Sequence, residues 1–456
     1  MPSRRSFLAS LAALPLLPRS GWAATPVQLA LAPLQQQIAP AQYGKTDLWG
    51  VNSSMPGPTL QARQGDRLKV QVNNGLPQET SMHWHGIRIE NAMDGVPGLT
   101  QAPIAPGAEF TYDFALPDAG TYWYHSHAQS VEQVERGIQG PLIVAEHDAP
   151  DVDQDLVLML DDIRLMQDAA VDPVFDHPHD MSHAGRMGNV MLTNGQIEAR
   201  YPVQQGDRLR LRLINSANAR IFALGLQGLT GWIMAYDGMP LTAPEEIPDQ
   251  LLLAPAQRID LIVDVTADAG EDAFLVQFER DGGYAQASFP VSAGTKSTRN
   301  MPAPLPPNPD HAITLGNARS ATLRMEGGAM GGMRAAEWQG ETQGMRSLAQ
   351  AGQFWALNGV VGRPNAPLVR ASIGETVKLT MVNDTAFPHA MHLHGMHFAE
   401  VLPGGGLGPL RDTLLMMRGE TRTVAFNAHN PGKWLLHCHM LSHHAAGMGT
   451  WVEVTA

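Results

Sequence analysis

Four pairs of histidines, each separated by a single residue, are the most distinctive chemical feature of this sequence. In a β-strand, residues i and i+2 point to the same side, so each pair offers two imidazoles to one site. Imidazole is the commonest transition-metal ligand in proteins and suits copper, iron, nickel and zinc. Four such pairs predict a metal cluster; they are His83-Trp84-His85, His125-Ser126-His127, His392-Leu393-His394 and His437-Cys438-His439.

The last pair encloses Cys438, the only cysteine of the chain. A single cysteine cannot form an internal disulfide, so its neighbours decide its role. His389 lies upstream, and His443 and Met448 follow shortly downstream. Two histidines, a thiolate and a distant methionine form the ligand set of a blue-copper electron-transfer site. The paired histidines remain, and they are numerous enough to hold further coppers in a cluster.

The segments that must position these residues repeat three times, at 65–74, 206–215 and 374–383. Each copy begins with a glycine and an acidic residue and continues with apolar residues alternating with polar ones, as in a strand with one buried face. An asparagine precedes each copy, at Asn52, Asn194 and Asn358. Further short strand-like segments recur between turn residues, and few stretches have a helical period. The pattern predicts an all-β protein of three β-sandwich domains.

The length of 456 residues suits three units of roughly 150 residues each. We expect domains at 25–148, 149–300 and 301–456, with boundaries in Pro-rich linkers. The histidine pairs come from the first and third units, so the cluster is predicted to lie where those domains meet. The second domain is then expected to act as a spacer.

Charge and the first residues predict where the protein works. The formal charge of −13 is spread without long acidic runs, which favours solubility and argues against nucleic-acid or anionic-membrane partners. Residues 1–24 combine Arg4-Arg5, a short apolar run and Ala23-Ala24, the pattern of a twin-arginine export signal. The apolar run is too short to span a membrane. We therefore expect a periplasmic protein without a membrane span, acting as a monomer.

The four motifs, with His389 before and His443 and Met448 after, resemble the signature of the multicopper oxidase family over essentially the whole chain that follows residue 24. The chain looks most like the bacterial laccase and cuprous oxidase type. The resemblance implies three cupredoxin-like Greek-key β-sandwich domains and four copper ions. It implies type 1 copper on His389, Cys438, His443 and Met448, type 2 copper on His83 and His392, one type 3 copper on His85, His125 and His439, and the other on His127, His394 and His437.

The same resemblance implies the reaction and two further residues. A reducing substrate is oxidised one electron at a time at type 1 copper, and dioxygen is reduced to water at the other three coppers. The side chain of Cys438 faces away from those of His437 and His439 on one strand, so it connects the two sites through a few bonds. Asp94 matches a family acid that helps to deliver protons. His444 stands where the cuprous oxidases carry a second acid, and a histidine can also carry protons.

Two segments bear on the substrate. Residues 325–345 are rich in methionine and glycine, and a second group comprises His177, His179, Met181, His183 and Met187. Soft thioethers favour Cu(I), so both segments are compatible with handling of cuprous ions. The alternative is that methionine merely fills gaps in flexible loops. The sequence leaves Cu(I), phenols and Mn(II) open as reductants.

Three other functions fit the sequence less well than an oxidase. A copper-free scaffold with this fold would have lost the ligands, and this chain keeps them. A copper nitrite reductase needs no coupled copper pair, so the full set of paired histidines argues against it. A copper-storage protein would not need a thiolate linked to a metal cluster.

Overall fold

The structure, a computed structural model, describes residues 26–280, 282–294, 299–309 and 311–456. The predicted export signal at 1–24 therefore lies outside the described residues. Strands dominate the described chain, and its helices are short. No helix in these ranges combines the length and the apolar composition that crossing a bilayer requires.

The strands and helices follow one another in three groups along the chain. The first group contains β1 (Val27–Gln36), β2 (Thr46–Val51), β3 (Leu60–Arg63), β4 (Arg67–Asn74), β5 (Met82–His85), β6 (Glu109–Ala115), β7 (Gly120–Ser126), α1 (Ser130–Glu135) and β8 (Gln139–Ala145). The second contains β9 (Gln154–Ile163), α2 (Pro178–Ser182), β10 (Val190–Thr193), β11 (Val203–Gln204), β12 (Arg208–Asn215), β13 (Phe222–Gln227), β14 (Leu229–Tyr236), β15 (Met239–Glu246), β16 (Leu251–Leu253), β17 (Arg258–Val265), β18 (Asp272–Glu279) and β19 (Gly282–Ser292). The third contains β20 (Arg319–Gly327), β21 (Ala335–Trp338), β22 (Glu341–Gly344), α3 (Met345–Gln350), β23 (Trp355–Leu357), β24 (Val369–Ser372), β25 (Thr376–Asn383), β26 (His389–Leu393), β27 (Phe398–Val401), β28 (Leu407–Arg411), β29 (Thr413–Met416), β30 (Thr421–Asn427), β31 (Gly432–Cys438), α4 (Leu441–Ala445) and β32 (Gly449–Thr455). Short 3-10 helices cover Ala41–Tyr43, Asn91–Met93 and Leu315–Asn317.

Each group forms a pair of sheets. Strand order is β2-β1-β4-β6 and β3-β8-β7-β5 in the first group, and β10-β9-β12-β17-β14-β15 and β11-β19-β18-β13-β16 in the second. In the third it is β23-β20-β25-β30-β27-β28 and β24-β32-β31-β26-β29, with β21-β22 as a small extra ribbon. The first long strand of each group runs parallel to the repeated strand, as β1 with β4, β9 with β12 and β20 with β25. The predicted all-β fold of three cupredoxin-like β-sandwiches is confirmed.

The repeated glycine-acid pair forms the same turn in all three groups. The glycine has a positive φ of 86°, 80° or 83°, at Gly65, Gly206 and Gly374 respectively. Glycine adopts this region at no steric cost. The acidic side chain that follows accepts a hydrogen bond from a backbone N–H three residues upstream, at 2.9 Å for Asp66 and Asp207 and 3.0 Å for Glu375. These turns lead into β4, β12 and β25.

The three asparagines noted in the sequence also play one structural role. Asn52, Asn194 and Asn358 each have φ of 51°, a region that asparagine tolerates better than most residues. Each side-chain oxygen accepts a hydrogen bond from the first strand of its group, at 2.7 to 2.9 Å. The asparagines therefore hold a turn against that strand.

Hydrophobic packing joins the first and third groups and leaves the second with a core of its own. Val72 and Trp84 of the first group belong to the same buried cluster as Met391 and Leu436 of the third. The second group packs around residues such as Leu211. Strands β5, β7, β26 and β31 carry the paired histidines. They therefore lie within or beside a core to which both ends of the chain contribute.

Candidate metal centre

The eight paired histidines come together at the contact between the first and third groups, and we call them the histidine cluster. Antiparallel pairing places His83 opposite His125 across β5 and β7, and His392 opposite His437 across β26 and β31. The ring centroids of His85 and His392, which come from different groups, are 3.8 Å apart. All eight side chains are buried. This is the location that the sequence predicted.

The ring nitrogens of the histidine cluster converge in sets of three whose ligand atoms lie within 4.8 Å of one another. The sets are His83, His85 and His392; His85, His125 and His439; and His127, His394 and His437. The Nε2 atoms of His394 and His437 are 3.2 Å apart, and those of His125 and His439 are 3.3 Å apart. Two nitrogens bound tetrahedrally to one first-row metal at about 2.0 Å would lie about 3.3 Å apart. The spacing therefore suits shared metal ions.

Three of the four histidine pairs are divided between two of these sets, which differs from the expectation that a pair serves one site; His83 and His85 occur together in the first set. His437 joins His127 and His394, whereas His439 joins His85 and His125. The rings of His437 and His439 share one side of the strand, but their centroids are 5.4 Å apart. The nitrogens of these two rings belong to different sets, so the two rings reach neighbouring positions. The division matches the ligand sets implied by the family resemblance, with His85 additionally close to His83 and His392.

The histidine cluster has the chemistry of a metal site rather than of a hydrogen-bonded core. Four buried ring nitrogens have no hydrogen-bond partner, and they are His83 Nε2, His85 Nδ1, His392 Nε2 and His439 Nδ1. An unpaired buried polar atom is costly unless something else binds it. Burial lowers the pKa of His85, His125, His127, His392, His394, His437 and His439, and the neighbouring histidines lower it further in most of them. The imidazoles are therefore neutral near pH 7, the form that binds metal.

A second set of converging ligand atoms is formed by His389, Cys438 and His443, and we call these residues the thiolate site. The Sγ of Cys438 lies 3.7 Å from Nδ1 of His389 and 3.6 Å from Nδ1 of His443, and these two nitrogens are 3.0 Å apart. Met448 is fully buried, and its carbonyl accepts a hydrogen bond from the Cys438 backbone at 3.1 Å. Burial raises the pKa of the Cys438 thiol to about 12, so metal binding must displace its proton.

Hydrogen bonds fix which nitrogen each histidine of the thiolate site presents. Nε2 of His389 contacts Oγ1 of Thr385 at 2.8 Å, and Nε2 of His443 donates to the carbonyl of His183 at 2.7 Å. Both rings therefore keep Nδ1 for the metal, because such outer hydrogen bonds orient ligating imidazoles. Thr385 and the His183 carbonyl were not identified from the sequence.

Cys438 connects the two sets of ligands as the sequence predicted. Its thiol belongs to the thiolate site, while its sequence neighbours His437 and His439 belong to the histidine cluster. A ring nitrogen of His437 also contacts the Cys438 carbonyl at 3.0 Å. A path of covalent bonds and one hydrogen bond thus links the two sites.

Asp94 is fully buried beside the histidine cluster. Its carboxylate oxygens each lie 3.1 Å from Nδ1 of His394, and its carbonyl accepts a hydrogen bond from Nδ1 of His83 at 2.7 Å. These bonds orient two rings whose Nε2 atoms face the cluster. The turn that carries Asp94 is therefore part of the site.

Asp412 is a second buried carboxylate of the site, and no pattern in the sequence indicates its role. One carboxylate oxygen lies 3.1 Å from Nε2 of His85, and its carbonyl accepts a hydrogen bond from Nδ1 of His392 at 2.9 Å. Burial alone would raise the pKa of Asp412, but Arg258 and His85 hold it well below its usual range. The carboxylate is therefore ionised and accepts hydrogen bonds from its neighbours.

Arg258 supplies the compensating charge from the second group of strands. Its guanidinium makes two hydrogen bonds to the Asp412 carboxylate, at 2.9 and 2.5 Å. It also donates to the backbone carbonyls of Thr121, Ala256 and Asp237 at 3.2, 3.0 and 3.0 Å. One side chain thus joins all three groups, and the second group does more than separate the other two.

The nearest sequence signal for this contact is a charged residue at the start of the apolar strand β17. A charged residue alone does not indicate which residue it contacts, and Asp412 lies more than a hundred residues away.

Gly86 has no side chain, and this leaves space for the ion pair of Arg258 and Asp412. A Cβ there would come within 2.2 Å of Nη2 of Arg258 and 2.8 Å of Oδ2 of Asp412. Only glycine leaves room for this ion pair beside the His83-Trp84-His85 strand.

His444 lines a cavity of about 130 Å³ that reaches the histidine cluster, together with Val96, His127 and Arg363. Its ring centroid is 4.3 Å from that of His437. Burial, aided by the charge of Arg363, lowers the pKa of His444 to about 4. The histidine that replaces an expected acid is therefore neutral at pH 7 and lies next to the cluster.

The methionine-rich segment is mostly a packing element. Met325 is fully buried in β20, and Met333 and Met345 pack against hydrophobic clusters. Only Met330 of this segment is well exposed, at 81%. In the other group, Met181 is likewise buried, whereas His177, His179 and Met187 are exposed and His183 is partly exposed. The gap-filling interpretation thus holds for most of the methionines, and the histidines remain accessible.

Comparison with known proteins identifies the class of protein to which this fold and site belong. Profiles of the multicopper oxidase family match residues 34–149, 167–298 and 336–456. The chain is 30% identical over 430 residues to the multicopper oxidase MmcO of Mycobacterium tuberculosis, with 88% of this chain and 82% of the relative covered. It is 26% identical over 553 residues to copper resistance protein A of Pseudomonas syringae pv. tomato, with 89% of each covered.

Comparison with solved structures indicates the same family. Lac15 from a marine microbial metagenome is 41% identical with a TM-score of 0.76, covering 94% of this chain and all of that one. A multi-copper oxidase from Pseudomonas thermotolerans is 30% identical with a TM-score of 0.82, covering 94% and 99%. The chain belongs to the multicopper oxidase family, and the predicted oxidoreductase activity with copper, dioxygen and a reductant is confirmed. The relatives described here give no specific support for Mn(II) as the reductant.

Proposed function

We propose that this multicopper oxidase carries four coppers, one at the thiolate site and three in the histidine cluster. Type 1 copper is assigned to His389, Cys438, His443 and Met448, type 2 copper to His83 and His392, and the type 3 pair to His85, His125 and His439 and to His127, His394 and His437. The convergence of these buried nitrogens at metal-ligand spacing carries the proposal. When bound, the coppers supply one-electron oxidation at the thiolate site and four-electron reduction of dioxygen to water at the cluster.

The protein's own residues position these ligands and manage protons. Asp94 holds the rings of His83 and His394 and is the buried acid nearest to those two rings. We assign it the delivery of protons to dioxygen at the cluster. Asp412, charge-balanced by Arg258, orients His85 and His392. The cavity beside His444 is the proposed passage for dioxygen and water.

We propose Cu(I) as the reducing substrate. The Nε2 of His443 is bonded to the carbonyl of His183, in a surface segment that also carries the exposed His177 and His179. Imidazole and thioether are ligands of Cu(I), and an electron entering at this segment is one hydrogen bond from a type 1 ligand. The likeness to copper resistance protein A is consistent with this choice.

Phenol oxidation is the second candidate. Its support is the 28% identity over 446 residues to Laccase-1 of Botryotinia fuckeliana. A phenol needs only close approach to His443 and no metal-binding groups. The two candidates therefore differ in whether the histidines of 177–183 take part.

Anaerobic stopped-flow absorption separates the candidates. The copper-loaded protein is mixed with a stable Cu(I) complex, or with a phenol of similar driving force, and the blue thiolate band is followed before oxygen is added. We expect much faster bleaching by Cu(I), with recovery on oxygen. Equal or faster bleaching by the phenol would favour the laccase-like function. A loaded protein without a blue band would overturn the type 1 assignment.

We also propose that the chain is divided into domains at 25–148, 149–300 and 301–456. The sheet pairs within 27–145, 154–292 and 319–455 support this division. Export to the periplasm through the twin-arginine pathway is proposed on the residues 1–24 alone.

A further inference from the structure

The first group of strands repeats the backbone that forms the thiolate site, with other side chains on it. Ser126 lies between the two histidines of its pair, as Cys438 does in the third group. The backbone N–H of Ser126 donates to the carbonyl of Ile138 at 3.1 Å. That of Cys438 donates to the carbonyl of Met448, also at 3.1 Å. Ser126 is therefore the structural counterpart of the thiolate residue.

Helices α1 and α4 extend this correspondence to a second ligand. The N–H of Ile138 donates to the carbonyl of Gln133 on α1 at 2.9 Å. The N–H of Met448 donates to the carbonyl of His443 on α4 at 3.0 Å. In both groups the residue between is a glycine with φ of 114°. Gln133 therefore occupies the backbone position that His443 has in the thiolate site.

Thr80 is the counterpart of the remaining ligand. It precedes His83, the first histidine of its pair, by three residues. His389 precedes His392 by the same spacing. Each position of the thiolate site thus has an equivalent in the first group, filled by a hydroxyl or an amide.

Hydrogen bonds join these three side chains, which we call the hydroxyl–amide network. The hydroxyls of Thr80 and Ser126 donate to Oε1 of Gln133 at 2.7 and 2.6 Å. An amide oxygen has two lone pairs and can accept from both. Nε2 of Gln133 donates to the carbonyl of Glu79 at 2.7 Å. All three side chains of the network are buried, so the network links β7 and α1 to the segment before β5 without contact with water.

The strands that the hydroxyl–amide network joins carry half of the histidine cluster. Ser126 stands between His125 and His127, which belong to the two different ligand sets assigned to the type 3 pair. A shift of this end of β7 would therefore displace ligands of both type 3 coppers. The ligands of the thiolate site lie on the third group of strands, so the same shift would leave them in place.

We infer that Gln133 is a positioning residue of the histidine cluster, which holds the end of β7 against β5 through the two hydroxyls. In the third group the equivalent residues are ligands, and a bound metal can hold them together. In the first group hydrogen bonds perform this role, and a fully paired buried network makes the arrangement rigid. The histidines of β5 and β7 are thus prearranged before copper binds. This inference rests on the copper assignment proposed above.

Gln133→Leu tests the inference, since it keeps a similar side-chain size and removes the amide. Two buried hydroxyls and the Glu79 carbonyl lose their partner, which favours a shift of the strands. We expect the affinity for type 3 copper to fall about tenfold. The copper-loaded protein is equilibrated with increasing concentrations of a chelator, and the near-ultraviolet absorption of the type 3 pair is followed beside the blue band. The type 3 absorption should disappear at about tenfold less chelator, and the blue band should persist as in the parent.

Gln286→Leu is the matched control in the second group, which carries no ligand. Gln286 is also buried, and its Nε2 donates to the Leu192 carbonyl at 2.8 Å and to Oγ1 of Thr193 at 3.0 Å. This variant should retain type 3 copper like the parent even if it melts at a lower temperature. Ser126→Ala removes one hydroxyl only, and it should shift the type 3 midpoint in the same direction by a smaller factor. It decides the question if Gln133→Leu does not fold.

The outcomes separate this inference from the copper assignment. If Gln133→Leu and Ser126→Ala retain type 3 copper like the parent, the positioning role is wrong and the copper assignment stands. If Gln133→Leu loses the blue band and the type 3 absorption together, Gln133 supports the fold in general, and the inference is again wrong. If the loaded parent itself lacks the type 3 absorption, the copper assignment fails and the inference fails with it.

Discussion

Replacing Arg258 with methionine tests how much the site depends on one side chain. Arg258→Met keeps much of the side-chain length but removes five hydrogen bonds, two of them to the Asp412 carboxylate. Asp412 would then be a buried charge without its cation. Removing one partner of a buried ion pair costs about 3–5 kcal/mol. Three backbone carbonyls would lose a donor as well.

This loss is large enough to measure in two ways. For a cooperative unit of 150–250 residues, each kcal/mol lowers the melting temperature by about 2–4 °C, so we expect a decrease of roughly 6–20 °C by circular dichroism. Asp412 also orients His85 and His392, and loss of such outer contacts weakens metal affinity about 10–100-fold. Electron paramagnetic resonance should show a reduced type 2 signal after dialysis against a chelator.

The matched control is Arg200→Met in the same group of strands. Arg200 pairs with Asp272 at 3.2 Å, and its side chain is 55% exposed. Surface pairs of this kind contribute about 0–1 kcal/mol, so the melting temperature should change little. If Arg258→Met melted like Arg200→Met and kept its type 2 signal, the argument that Arg258 supports the cluster through Asp412 would be refuted.

Three further changes have defined outcomes. Cys438→Ser removes the thiolate, so absorption spectra should lose the blue band while paramagnetic resonance keeps a type 2 signal; a surviving blue band would contradict the ligand assignment. Asp94→Asn removes the proposed proton donor, and stopped-flow reoxidation of the reduced enzyme by oxygen should slow by about 10²–10⁴; an unchanged rate would leave Asp94 with a positioning role only. Burial and the adjacent His311 lower the pKa of His429 to about 3, below the unfolded value of about 6.5. Between these two pH values the unfolded state binds more protons than the folded state, so the free energy of unfolding falls as pH drops from about 6.5 to about 3, by up to about 1.4 kcal/mol per pH unit. The free energy of unfolding of His429→Gln should therefore decrease less steeply with falling pH. The same pH dependence in the variant and the parent would contradict the lowered pKa.

Local patterns predicted the fold because the information they need lies within a few residues. The glycine-acid turns and the asparagines at φ of 51° repeat three times and depend only on nearby backbone contacts. The histidine pairs and Cys438 were equally visible, since alternation along a strand determines which side chains share a face. Their convergence followed from the placement of pairs at both ends of the chain.

The contacts that the sequence did not reveal are long-range. Arg258 and Asp412 are both common surface residue types, and only the folded chain brings them together beneath Gly86. The His183 group that contacts His443 is a backbone carbonyl, which every residue type has, so the sequence does not indicate this hydrogen bond. Burial also distinguishes Met325 from Met330. The sequence of a methionine-rich segment does not show which of its methionines lies in the core and which is exposed.

The sharing of every ligand set between distant parts of the chain has a consequence for biosynthesis. Each set of converging ligand atoms includes at least one residue at or beyond position 389. A ribosome-bound chain therefore has no complete metal site until its last sandwich has been made and has packed against the first. Copper can be inserted only after synthesis of the ligand strands is finished. A chain that ends before Cys438 lacks the thiolate and cannot show the blue absorption band. The band therefore indicates that synthesis has continued into the third sandwich.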